Sequence, residues 1–168
     1  ETQDPLGLSR AQVIANPRQV DPSATLFNTR KSVRQNQVGL VYDINFGSAD
    51  KLQARTYVGD RQVTQFLAIP LAAQLAPTSS GAVVDQDFGY EGLGVRWTHT
   101  LSDSDRPLNF SAGVDYDRMA QQRKGYRNTN GIQGTLKRNE KNQVTNSDCN
   151  GQFEWKFAPR WSTTPGQR

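Results

Sequence analysis

The sequence predicts an all-β protein, an antiparallel up-and-down meander that is a β-barrel or part of one. Three observations favour this fold class: side chains alternate in character along several segments, no apolar run is long enough for a membrane helix, and short connections alternate with long ones. In residues 37–47, QVGLVYDINFG, one face is wholly apolar and the other nearly all polar or small. Because successive side chains of a strand point to opposite faces, this pattern indicates a strand.

Residues 1–32 are predicted to form a loop region with short helical turns. Ser9 is placed to cap a helical turn over 10–15, and the Asn16-Pro17 pair would end it. The triplet at 21–23, Asp-Pro-Ser, marks a further turn or the start of a short helix. Residues 1–5 have neither the basic start nor the apolar core of a signal peptide, so we expect that one was removed or that the chain is an excised piece.

Residues 33–168 are predicted as strands and connections of the same single region. The predicted strands cover 33–46, 51–59, 88–101, 108–117 and 150–157, and a sixth segment begins at Trp161. Their connections run short, long, short, long, short: 47–50, 59–87, 102–107, 118–148 and 158–160. Short turns at one end and long loops at the other are typical of outer-membrane barrels, as are aromatic residues near strand ends. A soluble sandwich shows similar alternation, so both architectures remain open at this point.

Composition narrows the classes of protein that fit. The longest mostly apolar run, 66–76, contains Pro70 and Gln74 and falls short of the roughly 20 residues of a spanning helix. A single cysteine, Cys149, permits no internal disulfide, and a single histidine, His99, permits no histidine cluster. Apolar residues make up 35% of the chain, which suits strands with one polar face.

Several segments resemble the barrel of a TonB-dependent outer-membrane receptor. They are PLGLSRAQ, TRKSVRQNQVGLVY, YVGDRQVTQFLAIP, GLGVRWTH, LNFSAGVDYDR, KGYRN and FEWKFAPRWS. The resemblance extends over nearly the whole chain and is greatest to receptors proposed for siderophores or pyrroloquinoline quinone. It implies a barrel of about 22 strands with a plugged lumen, of which this chain would supply a part. The final residues, 161–168, depart from the family pattern because Pro165 removes a ladder donor.

The resemblance also implies a setting and partners. It places the parent protein in the bacterial outer membrane, in contact with lipopolysaccharide, and gives it a small-molecule cargo such as a ferric chelate or a similar anion. TonB would act only through segments outside this chain. We expect no cofactor, no metal and no nucleic-acid partner. The unpaired strand edges of an isolated piece would also allow self-association.

A basic stretch is the first candidate ligand site. Positive charge is concentrated from 118 to 127 and continues at Lys137, Arg138 and Lys141. Arginine forks bind phosphate and carboxylate oxygens bidentately, so a loop of this kind attracts an anionic chelate or lipopolysaccharide phosphates. The alternative is a solvated loop. Sparse aromatic interleaving disfavours nucleic acid. The candidate residues here are Arg118, Arg123, Lys124, Tyr126 and Arg127.

The second candidate is the stretch 62–70, which is apolar for an exposed connection. Gln65 and Phe66 are predicted to contact cargo at a barrel mouth, with packing against neighbouring loops as the alternative. Charged residues on the polar strand faces would line the lumen and contact the plug in a barrel, or be surface charges in a soluble fold. They are Asp43, Arg55, Arg96, Asp115 and Asp117.

The sequence does not indicate an enzyme. Asp115 and Asp117 share a strand face and form a conceivable acid–base or Ca²⁺ pair, but a solvated face is the favoured interpretation. The chain has no HExxH, no CxxC and no glycine-rich phosphate loop with its lysine. The main alternative to a transporter segment is a small soluble all-β barrel module that binds an apolar or anionic ligand. A hydrolase using the aspartate pair is a weaker third hypothesis.

Overall fold

A computed structural model describes residues 1–101 and 106–167. About 67% of the chain is strand and 10% is helix, so the protein is all-β. The elements in chain order are β1 (Thr2–Gln3), α1 (Arg10–Ala15), α2 (Pro22–Leu26), β2 (Arg30–Phe46), β3 (Asp50–Phe66), α3 (Leu71–Leu75), β4 (Val83–Leu101), β5 (Leu108–Thr129), β6 (Ile132–Ala158), β7 (Trp161–Thr163) and β8 (Gly166–Gln167).

The strands form one antiparallel sheet in the order β1 to β7, and β8 pairs with β6. From β1 to β7, each neighbour in the sheet is also a neighbour along the chain, which confirms the predicted up-and-down meander. The short strands fix the register at the margins. Gln3 lies opposite Arg30, and Ala158 lies opposite Trp161.

The chain divides into two compact units. Unit 1 comprises 1–36, 60–89 and 120–142, and unit 2 comprises 37–59, 90–119 and 143–168. The buried apolar side chains of the described residues all belong to unit 1: Ala24, Phe27, Val63, Phe66, Ala82 and Val83. In the described part of unit 2, no large apolar side chain is buried. Within 1–101 and 106–167, no helix has the length and apolar character needed to cross a membrane.

The two N-terminal helices begin where the sequence predicts. Ser9 caps α1 in a capping box, in which its Oγ accepts from the Gln12 backbone N–H and its own N–H donates to Gln12 Oε1 at 2.7 Å. Asp21 caps α2 by accepting from the Ser23 N–H at 2.8 Å. A hydrogen bond from the Gln12 side chain, helped by the one from Ser23, lowers the pKa of Asp21 because both favour the ionised carboxylate.

The two predicted long connections are wrong in extent. β3 continues to Phe66 and β4 begins at Val83, so the connection predicted at 59–87 shrinks to 67–82 and contains α3. The connection predicted at 118–148 is absent, because β5 and β6 extend to a two-residue turn at 130–131. Asn130 (φ 51°) and Gly131 (φ 85°) both have left-handed backbone, as a tight hairpin turn of the I′ type requires.

The short connections agree better with the sequence. The turns at 47–49 and 159–160 fall inside the predicted ones, and β7 begins at Trp161 as expected. Of the predicted turn at 102–107, residues 102–105 lie outside the described part of the chain. Pro165 lies between β7 and β8, where its missing N–H interrupts no ladder, and its carbonyl accepts from the Phe153 N–H at 2.9 Å.

Candidate functional site

The polar face of unit 2 carries a network of side chains that bridge non-adjacent strands. We define the polar face by Gln37, Gln53, Arg55, Tyr57, Tyr90, Arg96, Asp115, Asp117 and Asn150. Arg55 on β3 donates from Nη2 to Asp115 Oδ1 on β5 at 2.8 Å. β4 lies between these strands, and the bridge passes over Gly94, where a Cβ would overlap both side chains. Gly94 is therefore needed for the space above it.

The same arrangement occurs twice more on this face. The Tyr57 hydroxyl donates to Asp117 Oδ1 at 2.6 Å, and the Tyr57 ring lies over Gly92. The Tyr90 hydroxyl donates to Gln37 Oε1 at 3.1 Å, and its ring lies over Gly59, where a Cβ would come within 2.6 Å of it. Each bridge joins two strands across a third. The predicted charged residues Arg55, Asp115 and Asp117 thus act together, as do tyrosines that the sequence did not single out.

A cleft opens beside the Arg55–Asp115 pair. It has a volume of about 410 Å³ and is lined by Arg55, Arg96, Asp115, Asn150, Gly151, Gln152, Gly166 and Gln167. Both oxygens of Asp115 accept a hydrogen bond there, since the second oxygen accepts from Asn150 Nδ2 at 3.3 Å. None of the described carboxylates forms an ion pair with Arg96, whose side chain is exposed.

The opposite side of unit 2 is apolar and exposed. We define this apolar face by Val38, Leu40, Tyr42, Phe46, Val58, Leu93, Trp97, Phe110, Val114, Tyr116, Phe153, Trp155 and Phe157. Leu40 is 64% exposed and Tyr42 is 59% exposed. Three rings form a chain across β4, β5 and β6: Trp97 meets Phe110 edge-on with ring centres 5.7 Å apart, and Phe110 lies 4.9 Å from Phe153.

His99 is paired rather than isolated on this side. Its Nδ1 lies 2.7 Å from Asp50 Oδ1, and the same oxygen accepts from Trp97 Nε1 at 2.9 Å. Asp50 is the first residue of β3, directly after the turn at 47–49. The carboxylate therefore holds two ring nitrogens at the end of the sheet where the chain turns.

The predicted basic loop is a strand pair in the structure. Arg123, Lys124, Tyr126 and Arg127 lie on β5 in unit 1, and Lys137, Arg138 and Lys141 lie on β6. The basic residues are accompanied by an acidic one, because Arg138 Nη2 forms an ion pair with Glu140 Oε1. Arg118 belongs to unit 2, where its Nη1 lies 3.6 Å from Glu91 Oε1.

Some of these cations already have partners. Lys137 Nζ donates to the Ala76 carbonyl at 3.4 Å, and Arg138 Nη1 donates to Ser80 Oγ at 3.1 Å. Both therefore hold the connection 67–82. Arg127 differs, because its Nε is buried with no hydrogen-bond partner among the described residues.

Gln65 and Phe66 end β3 and do not lie in a loop. Phe66 is 7% exposed, and the Arg30 guanidinium lies 3.5 Å from its ring centre. The ring is therefore buried in unit 1 and makes a cation–π contact with Arg30, the first residue of β2. That Gln65 contacts cargo stays a prediction.

No local sequence pattern indicates the most buried polar pair of the described residues. Gln74 on α3 and Asn128 on β5 are both fully buried in unit 1. Gln74 Oε1 accepts from the Asn128 N–H at 2.8 Å, and Gln74 Nε2 donates to the Ile69 carbonyl at 2.6 Å. Asn128 Nδ2 donates to the Phe27 and Leu67 carbonyls. The nearby Asn130-Gly131 dipeptide is a strong hairpin signal that would have located this region on a strand.

No group of three or more His, Cys, Asp or Glu side chains is arranged to hold a metal ion within 1–101 and 106–167. Cys149 is exposed and carries a free thiol. No protein-family model matches the chain.

Proposed function

We propose that this chain is part of a TonB-dependent outer-membrane transporter that takes up a ferric siderophore or a similar small cofactor. The observation that carries the proposal is the two-sided sheet of unit 2. One side is a continuous exposed apolar surface, and the other is a hydrogen-bonded polar surface. Strands of an outer-membrane barrel have this arrangement, with lipid on one side and a polar lumen on the other.

The exposure of the apolar face supports a lipid neighbour. Soluble monomers rarely expose contiguous apolar patches of more than a few hundred Å². Leu40, Tyr42 and Leu93 are each more than half exposed, and the described part of unit 2 has no apolar core that would cover them. Contact with acyl chains would remove this surface from water, at about 25 cal/mol per Å² of apolar area.

The ring cluster supports an interfacial position for one end of the sheet. Trp97 has an apolar body on the apolar face and an indole N–H bonded to Asp50 beside the turn at 47–49. Tryptophan and tyrosine collect at membrane–water boundaries because one end of the ring system is apolar and the other is polar. The Asp50–His99 pair lies at the same level and supplies polar groups for the aqueous side.

The soluble binding module has less support. Its defining feature would be an apolar core between packed sheet faces, and the buried apolar side chains of the described residues are confined to unit 1. On the transporter hypothesis, the basic hairpin of β5 and β6 is where anionic cargo would bind.

A charge placed on each side of β2 tests the proposal. Leu40 and Val41 are neighbours of similar exposure, 64% and 61%. Leu40 lies on the apolar face, whereas Val41 lies on the polar face between Gly39, which approaches the Tyr57 side chain, and Asp43, which pairs with Lys51. We expect Leu40→Lys to destabilise folding into phosphatidylcholine vesicles by about 2–4 kcal/mol, and Val41→Lys to change it little. Folding is measured by urea titration and by protease protection.

The outcome depends on the difference between the two variants. Equal effects of the two lysines would mean that lipid does not distinguish the faces. Failure of the unaltered chain to associate with vesicles, while it stays folded and monomeric in plain buffer, would favour the soluble module.

A further inference from the structure

We propose that the cleft beside Arg96 on the polar face of unit 2 binds a small polar monocarboxylate. We call this cleft the Arg96 cleft, lined as described above, with a volume of about 410 Å³. Its residues are separate from the basic hairpin of unit 1, and the inference does not depend on the transporter proposal. A volume of this size is typical of a pocket for a small molecule.

Among the described residues that line the cleft, Arg96 is the arginine without a carboxylate partner. Arg55 donates to Asp115 Oδ1 at 2.8 Å, and the second oxygen of Asp115 accepts from Asn150. Arg96 has no ion pair with any carboxylate of the described ranges. An exposed guanidinium fork with an open approach is the group that carboxylates bind bidentately.

The neighbouring groups select among anions. The side-chain amides of Asn150 and Gln152 lie on the cleft side of β6 and suit hydroxyl or carbonyl groups of a ligand. Arg55 and Asp115 form a pair with no net charge, so Arg96 contributes one unbalanced positive charge, which matches the single charge of a monoanion. A single guanidinium flanked by amides and one paired carboxylate therefore favours a monocarboxylate that carries further hydrogen-bonding groups.

Small residues keep the cleft open. Gly166 on β8 pairs with Gln152 on β6, and a Cβ on Gly166 would lie 3.7 Å from the Gln152 side chain, on the cleft side. Gly151 precedes Gln152, so its Cβ would point to the opposite side of the strand, where it meets nothing within 4 Å. A larger residue at Gly166 should thus fill the cleft, whereas the same residue at Gly151 should leave it open.

The test is calorimetric titration of the full 168-residue chain with D-glucuronate, with D-glucose as its uncharged counterpart and inorganic phosphate as the competing anion. We expect glucuronate to bind and glucose to show at least about tenfold weaker binding, since a hydrogen bond to a charged group contributes roughly 1.5–3 kcal/mol. Phosphate should bind more weakly than glucuronate.

Two pairs of variants separate charge from space. Arg96→Gln should weaken glucuronate binding roughly ten- to hundredfold, and Arg61→Gln, at an exposed arginine of unit 1, should not change it. Gly166→Leu should weaken binding with every charge retained, and Gly151→Leu should not. Absence of glucuronate binding to the unaltered chain, equal effects within either pair, or tighter binding of phosphate would each overturn the proposal.

Discussion

Asn128 shows how one side chain can organise a small core. Its amide group donates to the Phe27 carbonyl at 2.8 Å and to the Leu67 carbonyl at 3.2 Å, and its Oδ1 accepts from the Gly131 N–H at 2.8 Å. These partners come from the end of α2, the end of β3 and the hairpin turn. Because Asn128 is fully buried and its three partners lie in buried or half-buried surroundings, water is a poor substitute for its side chain.

Replacing Asn128 by alanine should therefore be costly. Asn128→Ala leaves two carbonyls and one N–H of unit 1 unsatisfied, and we expect a loss of about 3–5 kcal/mol in the free energy of unfolding. Urea titration followed by tryptophan fluorescence measures it. Asn142→Ala is the matched control, because Asn142 is exposed and bonds only the Gln121 side chain among the described residues; its effect should stay within about 0.5 kcal/mol. Similar losses in the two variants would contradict this account.

For single residues, interactions between near neighbours along the chain are predictable from the sequence, and interactions between distant residues are not. Ser9 and Asp21 are identifiable from the sequence because a capping oxygen and the backbone N–H that donates to it lie two or three residues apart. Asn128 and Phe27 are joined by a hydrogen bond across 101 positions of the chain, and Asn128 and Gln74 across 54. No local pattern marks such pairs, since an asparagine in a polar stretch is equally suited to solvent.

Among the elements, α1 and α2 stabilise each other through one carboxylate. Asp21 caps α2 and also accepts from the Gln12 side chain of α1 at 2.9 Å. Gln12 is at the same time part of the capping box of α1. The ends of both helices are thus coupled to the charge on Asp21.

This coupling predicts a dependence on pH. Because the pKa of Asp21 is lower in the folded chain than its usual value, its stabilising contribution is fully present above that usual value and is lost as the pH falls through the folded pKa. Between about pH 5 and pH 2, the Ser23 amide and Gln12 side-chain amide resonances should lose their hydrogen-bonded shifts. The Asp21→Asn variant should lack this transition. A transition of the same size in that variant would assign it to another carboxylate.

The β5–β6 hairpin is the element at which the structure differs most from the prediction. Residues 118–148 are polar on both faces over most of their length, so they lack the apolar alternation that reveals a strand. Backbone pairing extends through them because the turn at 130–131 fixes the register. By contrast, β2, β3 and β4 each contain a predicted strand and extend beyond it. Their apolar alternation ends before the backbone pairing does.

For the whole molecule, the distribution of charge matters more than the net value of +4. The hairpin of β5 and β6 collects basic residues in unit 1, and two of them, Lys137 and Arg138, are engaged with the connection 67–82. Arg123, Lys124 and Arg127 remain as the cations proposed to meet an anionic cargo. That role stays a prediction, because it depends on a ligand and the sequence shows only that the charges are close along the chain.

Removing these three charges should weaken binding of an anionic chelate. We expect the Arg123→Ala, Lys124→Ala, Arg127→Ala triple variant to bind ferric citrate at least about tenfold more weakly, with less dependence on salt than the unaltered chain. A control with the same loss of charge replaces Arg18, Lys31 and Arg34, which are exposed residues of unit 1. Fluorescence titration at low and high ionic strength gives both affinities. If the control variant loses as much affinity, the weaker binding comes from the change in net charge and not from the three hairpin residues.

The bridges over glycine have a mechanical consequence. Two side-chain bridges join β3 to β5 across the polar side of β4: Arg55 with Asp115, and Tyr57 with Asp117. If β3 or β5 shifted its register by a single residue, about 3.3 Å, its bridging side chains would move to the apolar face. Both bridges would then break together. When a pulling force acts along the strands, β3, β4 and β5 should resist sliding past one another. They should separate together rather than one at a time. Gly92 and Gly94 would then contribute to the stiffness of the sheet, because they leave room for the two bridges.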